Sequence, residues 1–166
     1  MRLVSPSAQW RAAFQELARD CERAGDPRYT LALRDFDAFL CRIDAARCSE
    51  QLPEGWVPWA EFWLEDAGQI LGCVRVRSRL TADLEREGGH VGYDVRPSMR
   101  CRGYGTALLR LALIEARALG IARVRVTCDD DNAGSIKVIE RNGGVLSGNS
   151  VSQATQKLVR QYWIDA

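Results

Sequence analysis

The sequence predicts an α/β domain: mixed strands with two early helices, one long crossover helix and one short late helix. Three observations carry this. Val91, Tyr93 and Val95 alternate with Gly92 and Asp94, the two-residue period of a strand. Ala107, Leu108, Leu111, Ile114 and Ala118 then recur at spacings of three and four, one stripe of a helix. Upstream, Trp10, Phe14, Leu17 and Cys21 repeat the helical period, while Val74 and Val76 alternate with Arg75, Arg77 and Arg79.

Taken in order, Arg2–Val4 reads as a short first strand, and Ser5–Pro6 offers an N-cap and first helical residue. Gly25 and Pro27 end the helix that carries the Trp10–Cys21 stripe. A second helix is expected over Asp35–Cys48, with Phe36, Leu40 and Ile43 inward. Residues 51–59 form a loop punctuated by Pro53, Gly55 and Pro58. Phe62–Glu65, the turn Asp66–Ala67–Gly68 and Ile70–Leu80 make a hairpin with one dry and one wet face. Thr81–Glu87 reads as a polar connection. After the central strand and long helix, Ala122–Cys128 is a further strand. Asn132 opens a short helix, and Val145–Leu146 and Gln156–Ile164 close the domain around a polar loop, Ser147–Thr155.

The totals narrow the function classes. A chain of 166 residues fits one domain, residues 1–166, large enough to bury a core. No apolar run approaches the length of a membrane span. The start, Met1–Val4 followed by Ser-Pro, is not a signal sequence, so a cytoplasmic location is expected. The net charge of +1 argues against a general nucleic-acid binder. Charge is unevenly spread: residues 1–66 carry net −4 and the remainder net +5. Such a split suits a cationic acceptor and an anionic donor, and equally suits solvated faces with no function. Six cysteines stand without a CxxC pair and with a single histidine, so no metal site is expected. Cys101, between two arginines at a helix start, is where a reactive thiolate would be stabilised.

Between the central strand and the long helix lies the most informative loop. Pro97 stops the strand ladder, and Gly103 and Gly105 permit a tight turn and close approach of a ligand. The helix start has unpaired N–H groups and the positive end of the helix dipole, which suit an anion. Residues 95–114 contain four arginines (Arg96, Arg100, Arg102 and Arg110) and no acid. Backbone amides from Arg100 through Cys101, Arg102, Gly103, Tyr104 and Gly105 to Thr106 are therefore the candidate anion cradle.

The string Val95-x-Pro97-x-x-Arg100-x-x-Gly103-x-Gly105 resembles the acyl-CoA signature of the GNAT superfamily of N-acetyltransferases. Asp131–Gly144 resembles that superfamily's next motif, and the two lie in the right order. The resemblance implies a mixed, mostly antiparallel sheet whose two central parallel strands, ending here at Val95 and Cys128, splay apart. It implies acetyl-CoA as co-substrate, held by the 100–106 loop and by exposed backbone near Val95, with Asn132 and Ser135 beside the pantetheine arm. It also implies an amine acceptor, either a small molecule or a protein amino group, and homodimers are common among its members.

Transfer to an amine needs a base, because a free alkylammonium has a pKa near 10. His90, the only histidine, heads the central strand where the superfamily often places a base, and its ordinary pKa suits the task. Glu61 and Tyr93 are the other candidates. Trp56 and Trp59, beside Glu54 and Glu61, would hold an ammonium group by cation–π and Coulomb attraction, or else cap the core. One departure stands out. Ile139 occupies the position where many members carry a tyrosine that protonates the leaving thiolate; Ser135 and Tyr162 are the substitutes at hand. Two classes of function follow: an N-acetyltransferase, or a non-catalytic module that binds acyl-CoA as a sensor. A dinucleotide dehydrogenase fits poorly, because the third glycine of its fingerprint is missing.

Overall fold

A computed structural model describes residues 1–48, 52–53 and 55–166 of the chain. The first strand, β1 (Arg2–Val4), pairs with β2 (Trp59–Asp66), which forms a hairpin with β3 (Gln69–Arg77); β4 (Val91–Val95) completes an antiparallel sheet in the order β1-β2-β3-β4. A second antiparallel sheet has the order β5 (Arg123–Asp129), β7 (Leu158–Asp165), β6 (Val145–Val151).

Side chains alternate across the first sheet, as the strand period demands. Val74 and Val76 enter one core with Leu108, Leu109, Ala112 and Val126, under the long helix α5 (Tyr104–Ala118). Trp63 and Cys73 point the other way, into an aromatic core under α1 (Arg11–Arg23), α2 (Thr30–Arg34) and α3 (Phe36–Ala45). There the Phe14 ring centroid lies 4.2 Å from that of Trp63, 4.9 Å from Phe39 and 5.3 Å from Tyr29. Truncating a fully buried phenylalanine of this kind costs about 3–5 kcal/mol.

Several boundaries differ from the sequence reading, each for a physical reason. The first helix begins at Arg11, after a 3-10 turn at Ala8–Trp10, so Ser5–Pro6 is not its cap. Asp35 caps α3 by accepting from Ala38 N at 2.9 Å, and Phe39, not Leu40, is the deep residue. Thr81 caps a one-turn helix, α4 (Ala82–Arg86), where a plain connection was expected. In α5 the buried stripe is Leu108, Leu109, Ala112 and Ala116, while Ile114 is 62% exposed. Small alanines let the helix sit close to β3 and β4, so the buried face follows close approach and not side-chain size. The polar segment after Leu146 is strand, because its backbone pairs with β7 from Gly148 opposite Gln161 to Val151 opposite Leu158; Ser147 Oγ also donates to Gln161 O (3.1 Å) and Ser150 Oγ to Arg86 O (2.8 Å).

The expected central pair, β4 and β5, touches at one end. His90 N donates to Arg125 O at 2.8 Å, and Gly88 N donates to Thr127 Oγ1 at 2.8 Å. No ladder joins the two strands among the described residues, so the sheets part beyond that point. Gly89 makes the contact feasible: its φ is +63°, and a Cβ there would collide with the Arg125 carbonyl.

Candidate functional site

The loop after β4 is held from behind. Asp20 of α1 is 8% exposed and accepts from Ser98 N (2.9 Å), Arg96 Nε (3.3 Å) and Arg23 Nη2 (3.2 Å). Burial alone would push its carboxyl up, but these donors outweigh burial and hold it well below the usual carboxylate range. A 3-10 turn at Pro97–Met99 follows, then Arg100, whose Nε donates to Val95 O at 3.3 Å. Gly103 caps α5 with φ +86°, a left-handed conformation that glycine adopts without steric cost.

The consequence is a run of free donors. The N–H groups of Cys101, Arg102, Gly103, Tyr104, Gly105 and Thr106 have no hydrogen-bond partner among the described residues, and no side chain caps the helix. Six successive amides at a helix start, flanked by the exposed Arg100 and Arg102, make a donor surface suited to phosphate oxygens. Cys101 sits within it, exposed, with φ +61°.

Beside the cradle, Val95, Gly105 and Val138 meet: a Cβ at Gly105 would lie 3.1 Å from Val138 Cγ2 and 3.6 Å from Val95 Cγ2. This packs α6 (Ala133–Arg141) against the start of α5. Asn132 caps α6 by accepting from Ser135 N at 3.0 Å. The Tyr93 hydroxyl is buried without a hydrogen-bond partner; burial pushes its pKa up to about 12, partly offset by Ser135. Ile139 is fully buried, and the Tyr162 hydroxyl is buried without a partner. Val95, the 100–106 loop, Asn132 and Ser135 are thus gathered around one end of the β4–β5 opening.

His90 lies at the other end. Its Nδ1 accepts from Arg125 N at 2.9 Å, which fills that lone pair and leaves the ring proton on Nε2. Burial lowers its pKa, with Glu85 opposing and Arg125 and Arg77 adding to the fall. In this arrangement the imidazole ties β4 to β5.

A separate cavity of about 460 Å³ opens on the α1–α3 side of the sheet. Its floor is made by two neighbouring strands, with Glu61 of β2 paired to Arg75 of β3. Trp56 and Trp59 line it, ring centroids 5.9 Å apart at 43°. Arg28, Arg75 and Tyr29 converge on Asp94, the residue before Val95, with Tyr29 Oη donating to Asp94 Oδ2 at 3.2 Å. Glu61, 7% exposed, accepts from Trp63 Nε1 at 3.0 Å. Burial raises its pKa, and Trp63, Arg75 and Arg42 oppose that. Glu54, expected beside it, lies outside the described residues.

Sequence reading brought Trp56, Trp59 and Glu61 together and missed Arg28, Tyr29, Arg42, Arg75 and Asp94. The alternation of Arg75 and Asp94 with apolar neighbours marked a polar face, but nothing local says which partners close over it. Among the described residues no three histidine, cysteine or acidic side chains gather as a metal site, and no helix is long and apolar enough to cross a membrane.

The acetyltransferase (GNAT) family model matches residues 10–144. Among solved structures, the chain is similar to Mycobacterium smegmatis RimJ in complex with CoA-disulfide, with TM-score 0.74 and 16% identity over 99% of this chain and 81% of that one. It is similar to the microcin C7 self-immunity acetyltransferase MccE in complex with acetyl-CoA and AMP, with TM-score 0.71 and 15% identity over 99% and 91%. It is also similar to a spermidine N-acetyltransferase SpeG chimera from Vibrio cholerae and hSSAT, with TM-score 0.66 and 15% identity over 99% and 96%. At these identities the likeness is one of fold. No curated protein matches in sequence.

Proposed function

Because the chain belongs to the acetyltransferase (GNAT) family, we propose that it transfers an acetyl group from acetyl-CoA to a primary amine. The observation that carries this reading is the run of six unpartnered amides from Cys101 to Thr106 at the head of α5. Three or four charge-assisted bonds to a diphosphate, at roughly 1.5–3 kcal/mol each, are enough for micromolar binding after ordering costs. Val95 backbone would pair with the pantetheine arm, and Asn132 and Ser135 would border it. When bound, acetyl-CoA supplies an acyl thioester whose C–S bond breaks as the C–N bond forms.

The chain's own residues supply the rest. Glu61 is the base we assign: it is a buried carboxylate with a raised pKa, at the floor of a cavity that abuts β4 at Asp94. It accepts the ammonium proton and passes it to solvent. His90 enters as a positioning residue, since a base needs the lone pair that Arg125 N occupies. The buried Tyr93 hydroxyl, with Ser135 beside it, has an unused donor and would supply a hydrogen bond to the departing thiolate.

A second reading, an acyl-CoA-binding module without turnover, is favoured by Ile139, which offers no proton at the usual position. Calorimetry with coenzyme A and acetyl-CoA, followed by thiol release over a panel of amines, separates the two. Saturable binding with release supports transfer; binding with no release for any amine supports the module; no heat at millimolar coenzyme A removes both.

A further inference from the structure

We propose that the cavity over β2 and β3 takes an amine that also carries a carboxylate, a zwitterion of the α-amino acid type with an apolar or aromatic body. This deepens the acyl-transfer reading and rests on it. The charges in the wall set the class. Glu61 is the single carboxylate among the described lining residues. It is 7% exposed, one of its oxygens accepts from Trp63 Nε1 at 3.0 Å, and the Trp59 indole N–H lies close enough to act on it, so the carboxylate keeps further acceptor capacity toward the cavity. That capacity serves one ammonium group.

Against it stand three guanidinium groups: Arg28, Arg42 and Arg75. Two are already met. Asp94 takes both Arg28 and Arg75, and Asp26 accepts from Arg28 Nε at 2.8 Å. Arg42 has no ion pair among the described residues and lies over the Phe39 ring at 5.7 Å. Its charge is left for an anion on the ligand, and both Arg42 and Arg75 are close enough to act on Glu61. The cavity therefore offers one negative site and one positive site, with Tyr29, Phe39, Ile43, Trp56 and Trp59 between and around them. A polyamine fits this wall badly: its first ammonium finds Glu61, and every further one meets guanidinium charge in a partly desolvated space.

With such a ligand the ammonium yields one proton to Glu61, the nitrogen lone pair forms the bond to the acetyl carbonyl carbon, the sulfur leaves with the C–S electron pair, and the second nitrogen proton passes to that sulfur to give the free thiol. The carboxylate stays ion-paired with Arg42 throughout.

The test compares L-phenylalanine, phenethylamine (the same ring and amine without the carboxylate) and spermidine on the full chain and on Arg42→Gln. Two readouts are taken: thiol release from acetyl-CoA, and tryptophan fluorescence titration without it. Expected is a preference for phenylalanine of roughly tenfold or more in kcat/KM over both other amines. In Arg42→Gln the preference over phenethylamine collapses through KM, with thermal stability unchanged. Equal or better use of phenethylamine or spermidine overturns the proposal and leaves the acyl-transfer reading intact, as does a preference unaffected by Arg42→Gln. Fluorescence binding in the expected order, lost in Arg42→Gln, with no thiol release from any amine, upholds the zwitterion site and overturns acyl transfer.

Discussion

The cradle at the head of α5 adjoins Val95, and the cavity over β2 and β3 is braced by the preceding residue, Asp94, which takes Arg28, Tyr29 and Arg75; yet the two are made of different material. The cradle is backbone: six amides presented by one short segment, with a left-handed glycine at the turn. The cavity is side chain: Arg28, Arg42, Glu61 and Arg75 come from four separate segments, and Asp94 behind them takes Arg28 and Arg75. A site of amides holds any ligand with the right anion and is indifferent to most local substitutions. A site of side chains selects, and each member matters. On the proposed function, the molecule would separate holding the donor from choosing the acceptor.

The sharpest way to break this comparison is Glu61→Gln. If the cavity supplies the base, kcat falls by roughly 10²–10⁴ while acetyl-CoA affinity, measured by calorimetry, is unchanged. The wild-type pH profile carries the same signature. Transfer needs the carboxylate, and burial raises its pKa, so activity is lost as pH falls through a value above the ordinary glutamate range. His90→Asn is expected to cost within about tenfold, because its role is to tie β4 to β5; a loss equal to that of Glu61→Gln would reverse the assignment.

Next in size is Asp20→Ala, which leaves Ser98 N and Arg96 without their acceptor and costs about 1–3 kcal/mol of unfolding free energy in urea. Because the folded pKa of Asp20 is depressed, its contribution is full above the unfolded carboxylate pKa. The gap between wild type and variant closes as pH falls below that range. Gly103→Ala forces a side chain into the left-handed region at roughly 1–2 kcal/mol. Its coenzyme A affinity should drop by about tenfold, with the amine KM untouched. Smallest is Arg100→Ala: an exposed guanidinium beside a cradle of amides should change coenzyme A affinity by no more than about threefold. A loss far beyond that would mean side chains, and not the backbone, grip the donor.

The same contrast explains what could be read in advance. Gly103, Gly105 and the arginine-rich stretch lie within ten residues of Val95, and a backbone-made site has to be local, so its sequence spells it out. Asn132 and its helix were legible for the same reason: an N-cap reads its own amides three residues on. The stripe on α5 was misjudged at Ile114, since burial there follows how closely alanines let the helix approach β3. The short helix at Ala82–Arg86 was missed although its Thr81 cap is local, and the strand character of Ser147–Val151 was missed because it comes from pairing with the remote β7. Asp94 read as one polar residue in an alternating strand; its partners Arg28 and Arg75 are 66 and 19 residues away.

By itself the sequence determined most of the long strands and helices, the turn at Gly103 and the amide-rich, arginine-flanked character of the loop before α5, because periodicity, φ freedom and helix ends are local properties of the chain. The tertiary structure alone decided that His90 spends its lone pair on Arg125, that β4 and β5 touch at one end and part beyond it, and that Glu61 shares a cavity with Arg42. Those outcomes depend on desolvation and on which charges face one another, and neither exists until remote segments are packed together.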